Sequence, residues 1–259
     1  MRSTTLPISV LLYLVSATTA SRNTTCPLHH YTTHIFSADP LVIYIPNFIT
    51  PEESAHLQSI SAGKFRSSQI ADNQGQQQLA NTRTSQSTSL ESDEIVKCIE
   101  QRALDFQGFD TPRESLEPLQ LVKYGESQEF HSHTDWFTSD AQTTEEYGGN
   151  RLSSFFVYVS ASEDIIGGGT QFPLLDAPKS EQWCKWVNCD ADMEDGAVFR
   201  PLPGNAVFWR DLKGDGKKGY VGDGRVIHAG LPVQRGKKLG MNIWTRERHL
   251  DAKYRSSAA

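Results

Sequence analysis

The sequence predicts an α+β protein, a double-stranded β-helix (jelly-roll) core carrying an N-terminal helical layer. Two patterns point there. Helix signals fall between residues 50 and 105, and after Pro118 short apolar or alternating runs recur between glycine-rich breaks. Many short strands joined by turns favour a sandwich or barrel over a parallel α/β sheet.

Taken in order, Leu41-Val42-Ile43-Tyr44-Ile45 is a β-type run. Thr50-Pro51-Glu52-Glu53 supplies an N-cap, a proline at the first helical position and a glutamate at the third, and Leu57 and Ile60 follow at helical spacing. The polar, Gln-rich residues 67–79 read as a loop. A second helix is expected over 92–105, with Ile95, Ile99 and Ala103 on one face. Strands are expected over 119–124, 128–135, 152–159, 206–209, 225–228 and 239–245. Residues 174–200, acidic and weakly periodic, read as a surface excursion. The resulting division is a signal peptide over 1–20, an N-terminal strand and helical layer over 21–117, a jelly-roll core over 118–249 and a tail over 250–259, with 21–249 forming one domain.

The chain has 259 residues and a net charge of −6, with ordinary apolar and charged fractions. An acidic balance argues against a nucleic-acid partner, whose binding rests on phosphate neutralisation. The charge is uneven, because residues 210–259 carry twelve Lys and Arg against five Asp and Glu. That basic end is either a solvated face or a means of holding a small dianion.

The N-terminus has the form of a secretory signal. Arg2 precedes an apolar run over 6–15, and Ala17 or Ala20 offers a small residue for cleavage. The run is shorter than the roughly 20 residues a membrane span needs, although an uncleaved anchor is the alternative. No later segment is apolar enough to span, so the expected location is the endoplasmic reticulum lumen or the exterior. Asn23-Thr24-Thr25 is a glycosylation acceptor just beyond the cleavage region. Four cysteines suit an oxidising compartment, with Cys184 and Cys189 close enough for a short bridge, leaving Cys26 with Cys98. The absence of a Cys-x-x-Cys pair argues against a structural zinc.

The chemistry concentrates in Gln128-Glu129-Phe130-His131-Ser132-His133-Thr134-Asp135. Residues two apart on a strand face one side, so His133 and Asp135 can turn inward together. One imidazole and one carboxylate, joined by a distant histidine, make the three-ligand face of an iron(II) oxygenase, with open positions opposite. The distant histidine is His228, in an apolar run closed by Gly230 and Pro232; alone it would read as a core histidine. Lys238 opens the next apolar run, where a buried ammonium needs an anionic partner. His131 shares parity with His133 and Asp135, so a cupin-type His-x-His metal site is the rival reading.

Together these segments resemble the prolyl 4-hydroxylase family of iron(II)/2-oxoglutarate dioxygenases. The family pattern Tyr-x-x-Gly-Gln-x-(Tyr/Phe)-x-x-His-x-Asp is met by Tyr124, Gln128, Phe130, His133 and Asp135, with Ser127 where glycine is usual. Gly167-Gly168-Gly169-Thr170-Gln171-Phe172-Pro173 is similar to Gly-Gly-Glu-Thr-x-Phe-Pro, with Gly169 replacing Glu. His228-Ala229-Gly230-Leu231-Pro232-Val233 matches His-x-Gly-x-Pro-Val, and Lys238 stands where the family has its co-substrate lysine. Leu239 replaces the usual Trp, Asn242 and Trp244 are retained, and Arg83-Thr84-Ser85 is similar to an Arg-x-Ser loop.

The resemblance implies Fe(II) on His133, Asp135 and His228, with 2-oxoglutarate and O2 as co-substrates and ascorbate as reductant. It further implies that Lys238, with Tyr124 and Thr170, holds the far carboxylate of 2-oxoglutarate, and that Arg151 and Trp244 line the substrate side. Lys237, by strand alternation, faces the other way. The expected activity is 4-hydroxylation of proline in a peptide or protein. The alternatives are the same oxygenase acting on a peptide natural product or small metabolite, and a silent barrel that binds proline-rich segments.

Overall fold

A computed structural model describes residues 26–71, 76–108, 111–178, 180–217 and 219–255. The expected signal peptide and Asn23 lie outside the described residues. In chain order the strands begin with β1 (His34–Ala38) and β2 (Leu41–Ile45), followed by helix α1 (Pro51–Ser61). Next come β3 (Arg66–Ser67), β4 (Ile70–Ala71), β5 (Gln77–Gln78), β6 (Gln86–Ser89) and α2 (Glu94–Gln107). Then follow β7 (Gln120–Tyr124), β8 (Phe130–His133), β9 (Arg151–Ala161), β10 (Ile166–Gly167), β11 (Thr170–Phe172) and α3 (Glu181–Cys184). The chain continues with β12 (Ala197–Phe199), β13 (Ala206–Arg210), β14 (Leu212–Gly214), β15 (Tyr220–Gly222) and β16 (His228–Gly230). It ends with β17 (Val233–Arg235), β18 (Lys238–Arg246) and α4 (Ala252–Arg255).

An eight-stranded antiparallel sheet of order β1-β2-β13-β9-β18-β7-β6-β3 faces a four-stranded sheet of order β12-β11-β16-β8. This is the expected jelly-roll core. Alternation along β9 separates two cores, as period-2 patterning dictates. Phe155, Val157 and Val159 join the cluster that receives Leu57 of α1 and Val96, Ile99 and Ala103 of α2. Phe156 and Tyr158 point the other way, into a cluster with Phe172, Phe199 and Trp209 between the sheets. Because β1, β2, β3 and β6 extend the main sheet, the N-terminal segment is built into the same sandwich as the rest.

Both helices start where their local chemistry requires. Thr50 and Glu53 form the complete capping box of α1, a cap worth about 1 kcal/mol. Asp93 accepts from the amide of Val96 to start α2. Disulfide Cys26–Cys98 ties the first of the described residues to α2, and Cys184–Cys189 closes a short loop.

Four expectations change. Residues 67–79 do not run as a plain loop, since β4 and β5 pair within them. The 128–135 strand ends at His133, so Asp135 reaches the site from the turn beyond it. The 225–228 strand is a 3-10 turn over Gly224–Val226, because the Asp223 side chain captures the amide of Arg225; the strand then starts at His228. Residues 174–200 are more than a surface excursion, for Leu175 and Val187 are buried and Trp186 stacks on Tyr44 with ring centroids 5.0 Å apart. Leu175, Trp183, Trp186 and Val187 pack into the cluster between the sheets, and the helix there, Glu181–Cys184, is too brief to show a period.

Candidate metal centre and co-substrate pocket

Strand register assembles the site. β16 pairs with β8 so that His228 lies opposite His133, and Asp135 folds under both. Ligand atoms of His133, Asp135 and His228 all lie within 4.8 Å of one another, and no second cluster of this kind forms among the described residues. His133 Nε2 stands 3.8 Å from Asp135 Oδ1, and His228 Nε2 stands 3.8 Å from Asp135 Oδ2.

Each imidazole is oriented by a main-chain carbonyl. His133 Nδ1 donates to the carbonyl of His131 at 2.8 Å, and His228 Nδ1 donates to that of Val226 at 3.0 Å. These carbonyls select the Nδ1–H tautomer, which turns Nε2 toward the site as metal ligation needs. Burial and the nearby His228 push His133 down to about 3, so it is neutral at pH 7. Burial pushes the Asp135 carboxyl up, but His228, His133 and Arg151 hold it down at about 2, ionised. Two imidazole nitrogens and one carboxylate on one side of a cleft fit a divalent iron. The His131 side chain is half exposed and pairs with Glu129; only its carbonyl serves the site, against the cupin reading.

The remaining ring contacts hold the ligands rigid. Phe130 stacks on His133 at 3.6 Å between centroids, and Trp209 packs 4.6 Å from His228. Trp244 Nε1 donates to Asp135 Oδ2 at 2.9 Å. A cleft opens over the cluster, lined among others by Tyr124, Phe156, Thr170, Arg83, Asn242 and Trp244.

Lys238 lies in β18 opposite Tyr124 of β7. Its side chain is 2 % exposed, and its ammonium stands 4.5 Å and 5.5 Å from the Tyr124 and Phe156 ring centroids. It donates to the carbonyl of Gly168 at 2.5 Å. Among the described residues no carboxylate pairs with it, and burial alone lowers its pKa to about 7. A buried cation of this kind fits a dianionic co-substrate. Thr170 is buried beside the cleft, with its hydroxyl accepting from Tyr158 at 2.8 Å.

Arg151 is held by Glu117 through two hydrogen bonds of 2.8 and 2.9 Å and reaches the carbonyl of Asp135 at 3.3 Å. Its guanidinium lies 3.6 Å from the Trp244 ring centroid. In this structure Arg151 therefore supports the ligands rather than standing free over the cleft. Two departures from the family pattern become physical. Ser127 adopts φ +63, the left-handed region that favours glycine. At Gly169 a Cβ would meet the carbonyl of Phe199 at 2.9 Å, so a glutamate does not fit here.

Sequence reasoning missed Glu117, Ser154 and Asp211, which brace the site from behind. Only the Trp209-x-Asp211 spacing, two residues apart where β13 ends, offered a signal for any of them.

Residues 119–246 match the family model described as the 2OG-Fe(II) oxygenase superfamily. The chain is 30% identical to prolyl 4-hydroxylase 2 of Arabidopsis thaliana over 223 residues, covering 83% of this chain and 69% of that one. It is 28% identical to prolyl 4-hydroxylase 1 of the same plant, over 83% of this chain and 71% of that one. In fold it is similar to the viral collagen prolyl hydroxylase of Paramecium Bursaria Chlorella virus-1, solved as a 2OG complex. That likeness has TM-score 0.54 at 21% identity, over 78% of this chain and 94% of the other. With the His-Asp-His cluster in place and these relatives matched over most of its length, the chain belongs to the prolyl 4-hydroxylase family of 2OG-Fe(II) oxygenases.

Proposed function

We propose that this protein hydroxylates peptidyl proline at the 4-position, using Fe(II), 2-oxoglutarate and O2, with ascorbate keeping the iron reduced. The observation that carries the chemistry is the buried ammonium of Lys238, which has no carboxylate partner among the described residues, beside a cleft that also holds His133, Asp135 and His228. The substrate class follows from family membership. The bound iron, 2-oxoglutarate and O2 supply the oxidation of a C–H bond to an alcohol, with succinate and CO2 as the other products.

The chain's own residues bind, orient and exclude water. His133, Asp135 and His228 offer two nitrogens and one carboxylate oxygen from one side, leaving the cleft side free. Lys238, with the hydroxyls of Tyr124 and Thr170, would offer donors for the distal carboxylate of 2-oxoglutarate, and the Phe156 ring packs 5.5 Å from the ammonium. Burial holds the Tyr124 hydroxyl in its neutral, donating form. Arg83 lies over Phe130 at 4.7 Å and lines the same cleft. With Trp244 it frames the side from which a peptide enters.

Location in the secretory pathway is supported by the two disulfides and by the signal-like run over residues 6–15. The deciding experiment is succinate release with iron(II), 2-oxoglutarate and ascorbate, with and without a proline-rich peptide. Peptide-stimulated turnover and a gain of one oxygen at proline support the proposal. Succinate without stimulation moves the substrate elsewhere and keeps the chemistry. No succinate from protein that binds iron turns the reading to a silent peptide-binding barrel.

A further inference from the structure

Behind the metal ligands lie two buried polar groups, Ser154 and Asp211, that the reaction scheme does not use. Ser154 Oγ is 2.7 Å from Asp135 Oδ2 and 2.8 Å from Asp211 Oδ2. Both Ser154 and Asp211 are fully buried. A serine hydroxyl has one proton, and an ionised carboxylate has none. Two short O···O contacts to two carboxyl groups therefore need a second proton, which one of the carboxyls carries.

Its place follows from the surroundings. Asp135 faces His133 and His228 and accepts from Trp244 Nε1, so it is the ionised partner. Asp211 forms no ion pair among the described residues. Its Oδ1 accepts from Trp209 Nε1 at 2.9 Å, while its Oδ2 meets only the Ser154 hydroxyl. Burial and the charge of Asp135 together raise its carboxyl well above the usual range.

We infer that Asp211 is a neutral carboxylic acid that donates to Ser154, which turns the serine proton onto Asp135 Oδ2 and leaves Asp135 Oδ1 for the metal. Asp211 is thus a positioning residue for two ligands at once. Through Ser154 it fixes Asp135, and through Trp209 it fixes the ring that walls His228. The sheet builds this in register, since Ser154 of β9 lies opposite Trp209 of β13 and Trp244 of β18.

The inference rests on the metal-site reading, and the test separates the two. Co(II) affinity is measured by titration calorimetry on the full chain and on Asp211→Asn, Asp211→Ala and Ser154→Ala. The asparagine amide can donate to Ser154 while its carbonyl accepts from Trp209, so D211N rescues what D211A loses. D211A and S154A are expected to weaken Co(II) binding by about 10–100-fold, the cost of removing an outer partner of a ligand, and D211N by less than about threefold. Infrared spectra of the metal-free protein should show one buried carboxylic-acid C=O stretch that disappears in D211N.

If D211N falls as far as D211A, the site needs a charge at that position and the inference is overturned. An absent acid band overturns it too, and that spectrum is read without metal. Should D211A not fold, D211N and S154A still decide the matter, because S154A binding Co(II) like the unmodified chain sinks the relay. Failure of the unmodified chain to bind Co(II), with the acid band present, refutes the metal site and leaves the proton where it is placed here.

Discussion

The ammonium of Lys238 donates to the main-chain carbonyl of Gly168 at 2.5 Å, with no carboxylate pairing with it among the described residues. Close approach is allowed because Gly168 has φ +69 and a Cβ there would already touch the lysine Cδ at 3.4 Å. Removing the charge-assisted hydrogen bonds that Lys238 would make to a dianion costs about 1.5–3 kcal/mol. Lys238→Ala should therefore raise the dissociation constant for 2-oxoglutarate by roughly 10–100-fold while leaving Co(II) binding near that of the unmodified protein. An equal loss of metal and co-substrate would place Lys238 in the metal site instead.

A pH dependence follows from the same residue. Burial lowers Lys238 to about 7 in the free protein, and only its protonated form attracts a carboxylate. Affinity for 2-oxoglutarate should be highest below pH 7 and fall by up to about tenfold per unit above it, until the raised pKa of the bound form is reached. Calorimetry of the Mn(II)-loaded protein from pH 6 to 8.5 checks this. A flat profile means that Lys238 stays charged throughout.

Trp244 joins strand β18 to the ligand Asp135 through one hydrogen bond of 2.9 Å. Trp244→Phe keeps most of the apolar contact and deletes the donor. Co(II) affinity should drop by about 10–100-fold, with little change in thermal stability. An unchanged affinity would leave Ser154 as the sole donor that orients Asp135.

The legible and illegible parts of this protein divide by the range of the interaction involved. His133-x-Asp135 and His228-Ala229-Gly230 declare themselves in a few residues, because ligand spacing and turn chemistry are local. The capping box at Thr50 and Glu53 is local as well. Ser154, Glu117 and Asp211 were silent. Their roles depend on which residues the fold brings beside them, and a one-residue shift in the register of β9 would send Ser154 to the other face. The same limit explains the misplaced end of β8. Alternation put Asp135 on a strand, whereas the strand stops at His133, and the turn delivers the carboxylate to the same place.

His228 is nearly enclosed between Trp209 and Phe172, at 4.6 and 5.5 Å between centroids. His228→Ala removes one of three ligands, so Co(II) binding should weaken by more than the roughly 10–100-fold that outer partners cost. Iron-dependent succinate release should vanish, while far-ultraviolet circular dichroism stays that of the folded sandwich. Full activity in this variant would dismantle the proposed triad.

Glu117 gathers two arginines behind the triad. It accepts two hydrogen bonds from Arg151, and Arg246 Nε stands 2.6 Å from its Oε1. Burial alone would push this carboxyl up, but Arg151 and Arg246 hold it down, from 4.5 to about 2. Because the folded value is the lower one, the pairing stabilises the protein fully above about pH 4.5 and is lost as pH falls through about 2. The shift corresponds to about 3 kcal/mol. Glu117→Gln leaves two buried guanidinium groups facing one neutral carbonyl, at a cost of about 3–5 kcal/mol. Urea unfolding at pH 7 should show that loss, and the variant's stability should change less than the unmodified protein's between pH 4.5 and 2. Since Arg151 also touches the Asp135 carbonyl and stacks on Trp244, the same substitution should weaken Co(II) binding. A variant that lost stability with unaltered metal affinity would confine Glu117 to the scaffold.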